Sequence, residues 1–117
     1  MNFIVFPGQG SQKIGMGKKL SENFIEAKDV FDEVNDALNF NLTKIMWEGS
    51  DNEISLTTNA QPALMACGVA AFRVLSKLEG KNLKQLADFT CGHSLGEYTA
   101  MTVAKVFRLK NVQFYLD

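Results

Sequence analysis

Gly92-His93-Ser94-Leu95-Gly96 is the stretch on which the reading of this chain turns. It has the form of a nucleophile elbow, a turn so tight between a strand and a helix that the serine hydroxyl projects from the scaffold. The glycines two residues before and after the serine answer a steric demand. A Cβ at either place would collide with the neighbouring strand or helix, or forbid the dihedrals of the turn. Ala87-Asp88-Phe89-Thr90-Cys91 ahead of it predicts a short buried strand, and Leu95 to Ala104 behind it predicts a helix. At average composition the pattern G-x-S-x-G arises by chance in roughly 0.04 of chains this long. The placement between strand and helix therefore carries the reading more than the pattern does. Two readings of Ser94 stand at this point: a nucleophile, or a small residue filling a tight turn.

A serine hydroxyl needs a base to take its proton, and such help typically contributes 10²–10⁴-fold. The sole histidine is His93, directly before Ser94. Neighbouring side chains diverge at an elbow, so a ring packed or hydrogen-bonded beneath the turn is the expectation for His93. Glu97 lies one helical turn beyond Ser94, but a carboxylate of ordinary pKa is a feeble base for a serine. A solvated or capping role is expected for it. The base is absent from these residues or comes from elsewhere.

Phe6-Pro7-Gly8-Gln9-Gly10-Ser11-Gln12 follows a first apolar run, Phe3 to Phe6, which reads as a central strand buried on both faces. Residues 7–17 hold four of the nine glycines, which invites a phosphate-loop reading. For a Walker A loop, Gly10 and Gly15 have the right separation, but Met16 stands where lysine is required. For a dinucleotide fingerprint, Gly8 and Gly10 fit, but Lys13 replaces the third glycine. Both readings fail. What survives is a backbone role: a tight turn beside an elbow can donate one N–H to an oxyanion hole, with a second from the residue after the nucleophile. Gln9 and Leu95 are the candidates. The alternative is an ordinary strand-to-helix turn.

The 117 residues carry a formal net charge of −1 with acidic and basic residues interspersed. No basic stripe suggests nucleic acid, and no polybasic run suggests a membrane surface. The apolar start at Met1 to Pro7 is too short for a signal peptide, and nothing approaches a transmembrane span. Cys67 and Cys91 fit no metal spacing and are expected reduced and buried, which points to the cytoplasm. Ser21 is expected to cap a helix with Phe24, Ala27, Phe31, Val34 and Leu38 on one face. Leu42 to Trp47 predicts a short helix, and Glu48 to Asn52 a polar loop. Ala60 to Leu78 predicts a deeply buried helix with Pro62 in its first turn, preceded by Thr57, Thr58 and Asn59 as capping residues. Gly80-Lys81-Asn82 ends it. A last helix is expected from Leu109, uncapped at Asp117, so the chain is expected to stop inside it. The order strand, glycine loop, helices, strand, elbow and helix is α/β.

Three blocks then resemble one family. They are Phe6 to Gln12 with Gly15-Met16-Gly17, then Thr58-Asn59-Ala60-Gln61-Pro62-Ala63-Leu64, then Gly92-His93-Ser94-Leu95-Gly96-Glu97-Tyr98-Thr99-Ala100. In this order and at this spacing they are similar to the N-terminal part of the malonyl-CoA:acyl-carrier-protein transacylases of bacterial fatty-acid synthesis. The resemblance covers the whole chain and under half of a complete transacylase. It implies a partial α/β-hydrolase-like core with parallel strands and several helices, without the second half and the ferredoxin-like insert. Residues 1–117 are then the N-terminal portion of the large subdomain. It implies that Ser94 takes the malonyl group from malonyl-CoA as an oxygen ester and yields it to the pantetheine thiol of acyl carrier protein. The backbone amides of Gln9 and Leu95 form the oxyanion hole. No cofactor or metal is implied.

The departures from the family pattern are specific. The family's catalytic histidine has no counterpart here. The arginine that grips the malonyl carboxylate is expected just past Asp117. Lys105 replaces a glycine, which is expected to crowd packing after the elbow helix. The isolated chain is therefore expected to be inactive, and to self-associate through apolar surfaces it leaves open. Two other readings remain: a non-catalytic relic or interaction module, and a hydrolase of another acyl substrate. The sequence of the Phe6 to Gln12 loop argues against the hydrolase.

Overall fold

Two short strands, β1 (Phe3–Phe6) and β2 (Phe89–Gly92), pair in parallel with Phe3 opposite Phe89 and Phe6 opposite Gly92. A parallel pair cannot be joined by a hairpin and needs a long crossover. Here the crossover holds six helices: α1 (Lys18–Asn23), α2 (Ile25–Leu38), α3 (Leu42–Glu48), α4 (Asp51–Ser55), α5 (Thr57–Glu79) and α6 (Leu83–Leu86). The elbow helix α7 (Leu95–Val103) follows β2. The computed structural model describes residues 1–93 and 95–104. The helix expected from Leu109 and the crowding expected at Lys105 lie outside the described residues, as does Ser94.

The core forms where α2 lies along α5. Val30, Phe31 and Val34 meet Ala63, Ala66, Val69, Ala70 and Val74, with Leu42, Met46 and Ile54 closing it from α3 and α4. The helical spacing on α2 produces this stripe, as its sequence predicts. The Phe31 and Trp47 rings meet edge to face at 5.5 Å, a favoured aromatic geometry. Trp47 keeps its polar handle by donating Nε1–H to the Met16 carbonyl at 2.9 Å. Together with the Gly15 amide, which donates to the Met46 carbonyl at 2.7 Å, this fastens the glycine-rich segment to α3.

Several boundaries depart from expectation. β1 is buried on one face only. Successive strand residues point to opposite faces, and the helices cover the side holding Ile4 and Phe6. Phe3 and Val5 on the other side are 58% and 64% exposed. β2 shares this asymmetry, with Phe89 and Cys91 exposed, so neither that strand nor Cys91 is buried as expected. Cys67 and Cys91 are both free thiols, and Cys67 is partly buried beside Gly17.

Ser21 is not a cap. It lies inside α1, and the chain breaks at Phe24, whose extended backbone (φ −136°, ψ 123°) closes α1 and opens α2. The Phe24 carbonyl accepts from the Ala27 and Lys28 amides, so its side chain still begins the apolar stripe across the break. Of the expected polar loop, Glu48 ends α3 and Asp51 and Asn52 begin α4, which is started by a reciprocal capping box between Ser50 and Glu53. α5 begins at Thr57 rather than Ala60, with Leu56 as its N-cap and no side-chain cap. Pro62 therefore stands in the second turn, where it cannot return a hydrogen bond to the Thr58 carbonyl. Gly80 ends α5 as expected, in the left-handed conformation at φ 62°.

Candidate active site

The elbow is built from backbone contacts that leave no room for side chains. A Cβ on Gly92 would collide with the carbonyl group of Gly96 and stand 2.5 Å from the Glu97 amide nitrogen. A Cβ on Gly96 would collide with the Phe6 carbonyl and come within 3.1 Å of the Pro7 oxygen. The first glycine thus makes way for the first turn of α7, and the second for the end of β1. Two hydrogen bonds hold this approach. The His93 amide donates to the Phe6 carbonyl at 3.2 Å, and the Gly96 amide donates to the His93 carbonyl at 3.0 Å.

The loop after β1 closes on the same point. Gly8 is buried, and a Cβ there would stand 2.5 Å from the His93 carbonyl oxygen. The loop is held on its far side as well. Gln9 Nε2 donates to Thr57 Oγ1 at 3.2 Å, the Gly10 amide donates to Gln12 Oε1 at 2.7 Å, and Gln12 Nε2 reaches Ser55 Oγ at 3.5 Å. The Phe6 to Gln12 loop is thereby joined to the elbow on one side and to the start of α5 on the other.

Each candidate has a place in this arrangement. Ser94 lies outside the described residues, between His93 and Leu95, which are described. Leu95 is buried at the first position of α7, where a helix leaves its amides without intrahelical partners. Gln9 is exposed in the turn after β1, with its side chain directed to α5. His93 is exposed rather than packed beneath the turn, and its Nδ1 lies 3.3 Å from where a Cβ on Gly8 would stand. Glu97 is exposed, facing a groove between β2 and α7 that Thr90, Ala100 and Met101 also line. Gln61 is half-buried. Asn59 caps nothing at α5; its side-chain amide donates to the Glu53 carbonyl at 2.9 Å and ties α4 to α5.

Sequence reasoning missed Ser55 and Thr57. The only local signal was a hydroxyl beside a helix start, and capping accounts for such a residue without any partner in a distant loop. The structure gives the hydroxyl of Thr57 a different partner. Desolvation pushes the Cys67 thiol up to about 12, which keeps it protonated and removes it as a competing nucleophile. Among the described residues, no group of three or more His, Cys, Asp or Glu could hold a metal ion. No helix among them is long and apolar enough to cross a membrane.

Known proteins share this fold. The malonyl CoA-acyl carrier protein transacylase of Bacillus subtilis (strain 168) is 44% identical over 111 residues, which are 95% of this chain and 33% of that protein. The crystal structure of an acyl-carrier-protein-S-malonyltransferase from Bartonella henselae superimposes with a TM-score of 0.93 at 49% identity, covering 99% of this chain and 37% of that one. A malonyl-transacylase solved in complex with a type II PKS acyl-carrier protein superimposes with a TM-score of 0.88 at 37% identity, covering 99% and 37%. This chain spans about a third of the length of the curated relatives it matches. The α/β architecture, with parallel strands and several helices, is the one the sequence resemblance implies. The family model described as the acyl transferase domain matches residues 3–110, and the chain belongs to that family.

Proposed function

We propose that this chain carries the nucleophile-bearing part of a malonyl-CoA:acyl-carrier-protein transacylase, with residues 1–117 as the N-terminal portion of its large subdomain. The observation that carries the reading is the convergence at the elbow. Gly92, Gly96 and Gly8 each stand where a Cβ would strike the backbone of another segment. Such packing supports a turn selected for its shape rather than for its side chains.

In this reading Ser94 Oγ attacks the thioester carbonyl of malonyl-CoA, and the serine proton passes to a base. The oxyanion that forms is met by the backbone N–H groups of Gln9 and Leu95. Donors of this kind typically contribute 10²–10³ each in rate. Collapse breaks the carbon–sulfur bond, the base hands its proton to the leaving sulfur so that coenzyme A departs as a thiol, and a malonyl ester remains on Ser94. The pantetheine thiol of acyl carrier protein then gives its proton to the base and attacks that ester, and collapse of the second oxyanion breaks the carbon–oxygen bond as the base returns that proton to Ser94 Oγ. The exposed His93, adjacent in sequence, is poorly disposed to be the base. The isolated 117-residue chain is accordingly proposed to turn over poorly. The exposed Phe3, Val5 and Phe89 support self-association of that isolated chain. The two free thiols support a cytoplasmic setting.

Mass spectrometry of the native protein after brief incubation with malonyl-CoA tests the reading. A malonyl adduct on the peptide holding Ser94, lost in Ser94→Ala, is expected. An adduct that survives Ser94→Ala, or a native protein that never acquires one, would overturn it and favour a non-catalytic module. Release of free malonate outpacing transfer to a carrier thiol would instead favour a hydrolase.

A further inference from the structure

We infer that Thr57 is a positioning residue for the oxyanion-forming loop, acting through the side chain of Gln9. This rests on the acyl-transfer reading proposed above, and it adds a residue whose local pattern suggests only a cap. Gln9 sits between two glycines, and Gly10 adopts φ +114°, a region that side-chain-bearing residues rarely enter. A peptide flanked in this way has many backbone conformations open to it. An amide that is to meet an oxyanion must be held in one of them.

The loop is fixed from two sides. Toward the elbow, Gly8 is pressed against the His93 carbonyl. Away from it, Gln9 Nε2 donates to Thr57 Oγ1 at 3.2 Å, within the ordinary range for an N–H···O bond. The Thr57 hydroxyl is available for this role because α5 is capped by Leu56 with no side-chain hydrogen bond. Its backbone begins the longest helix among the described residues, which enters the core at Ala60 and Ala63 and so anchors it. Gln12 makes a parallel but longer reach to Ser55 at 3.5 Å, while its Oε1 accepts from the Gly10 amide. The junction of α4 and α5 thus works as a bracket for residues 9–12. In this role Thr57 acts on the backbone of the loop rather than on the reacting atoms. It sets the direction of the Gln9 peptide.

An interaction that matters only when the oxyanion forms changes kcat and leaves KM in place. The test is steady-state malonyl transfer by the native protein. Thr57→Val keeps the shape and removes the acceptor. We expect kcat to fall about tenfold, a fraction of the loss for deleting a whole donor, with KM for malonyl-CoA within about twofold. Thr57→Ser keeps the hydroxyl and is expected to restore most of kcat. Gln9→Met keeps the backbone amide and removes the side-chain donor. It is expected to match Thr57→Val, with no further loss in the double variant. A wild-type kcat in Thr57→Val, a rise in KM alone, failure of Thr57→Ser to restore activity, or additive losses in the double variant would each overturn the inference. Should Thr57→Val fail to fold, Gln9→Met against wild type decides the same question. Ser94→Ala in the same assay separates the two claims. If it retains activity, the acyl-transfer reading itself fails. If it is inactive while Thr57→Val is unimpaired, only the role of Thr57 fails.

Discussion

The interface of α2 with α5 and the open face of the two-stranded sheet are both rich in apolar residues, yet they behave differently. Phe31, between α2 and α5, is 1% exposed, whereas Phe3 on β1 is 58% exposed and stacks on Phe89 at 5.4 Å with the other side of both rings toward solvent. The helical layer closes its core among the described residues. The sheet offers one face to that core and leaves the other bare. The elbow lies at their boundary, where the ends of β1 and β2 run into α7. Its geometry is set by backbone sterics at Gly8, Gly92 and Gly96 rather than by the amount of apolar surface buried. The site therefore depends on a few backbone contacts that allow no compromise.

The sharpest way to break the comparison is at those contacts. Gly96→Ala would put a methyl group into the Phe6 carbonyl, and neither backbone can yield without separating β1 from α7. We expect destabilisation on the order of 3 kcal/mol or more by denaturant unfolding, along with loss of the malonyl adduct. A variant with normal stability and normal acylation would show that the elbow has more room than these contacts allow.

Phenylalanine truncation compares the two regions directly. Phe31→Ala removes a fully enclosed ring and is expected to cost about 3–5 kcal/mol. Phe3→Ala removes a ring that is mostly in water and is expected to cost under about 1 kcal/mol. It is also expected to reduce self-association of the isolated chain, read by sedimentation velocity. Equal costs at the two positions would mean that the open face of the sheet is covered in solution.

Much of this was legible in the sequence, for reasons that differ by region. The need for glycine at 92 and 96 follows from the spacing of the elbow pattern, because a Cβ in such a turn must meet the neighbouring strand or helix, as it does at the start of α7 and at the end of β1. The α2 stripe and the short α3 were legible from helical periodicity. The break at Phe24 was not, since the apolar spacing runs through it and no glycine or proline marks it. The start of α5 was misread because Leu56 caps it through backbone geometry, with no polar side chain to announce the end. Which face of β1 is covered depends on where the helices pack, and a continuous apolar run such as Phe3 to Phe6 says nothing about that. The link from Gln9 to Thr57 spans 48 residues, beyond the reach of local pattern.

The smallest expected effect belongs to the helical layer. Lys77 Nζ donates to Glu26 Oε2 at 2.6 Å, and this hydrogen bond, ahead of other causes, holds the Glu26 carboxyl below its ordinary value of 4.5. A carboxyl whose folded pKa is depressed contributes stability above its unfolded pKa and loses it as pH falls through the folded pKa. Lys77 is exposed and Glu26 is half-buried at the surface, so the contribution is small and screened by salt. Lys77→Met should lower the melting temperature slightly at neutral pH and low ionic strength and leave it nearly unchanged at strongly acid pH, so that the fall below pH 4.5 becomes shallower. An unaltered acid limb would show that the pair contributes nothing.

The most direct measurement is a crystal structure of the native protein trapped with malonyl on residue 94. Acyl transfer at the elbow predicts an ester on Ser94 Oγ with its carbonyl oxygen about 3 Å from the backbone nitrogens of both Gln9 and Leu95. An acyl group on another residue, or a Ser94 ester whose carbonyl oxygen turns away from both amides, would contradict it.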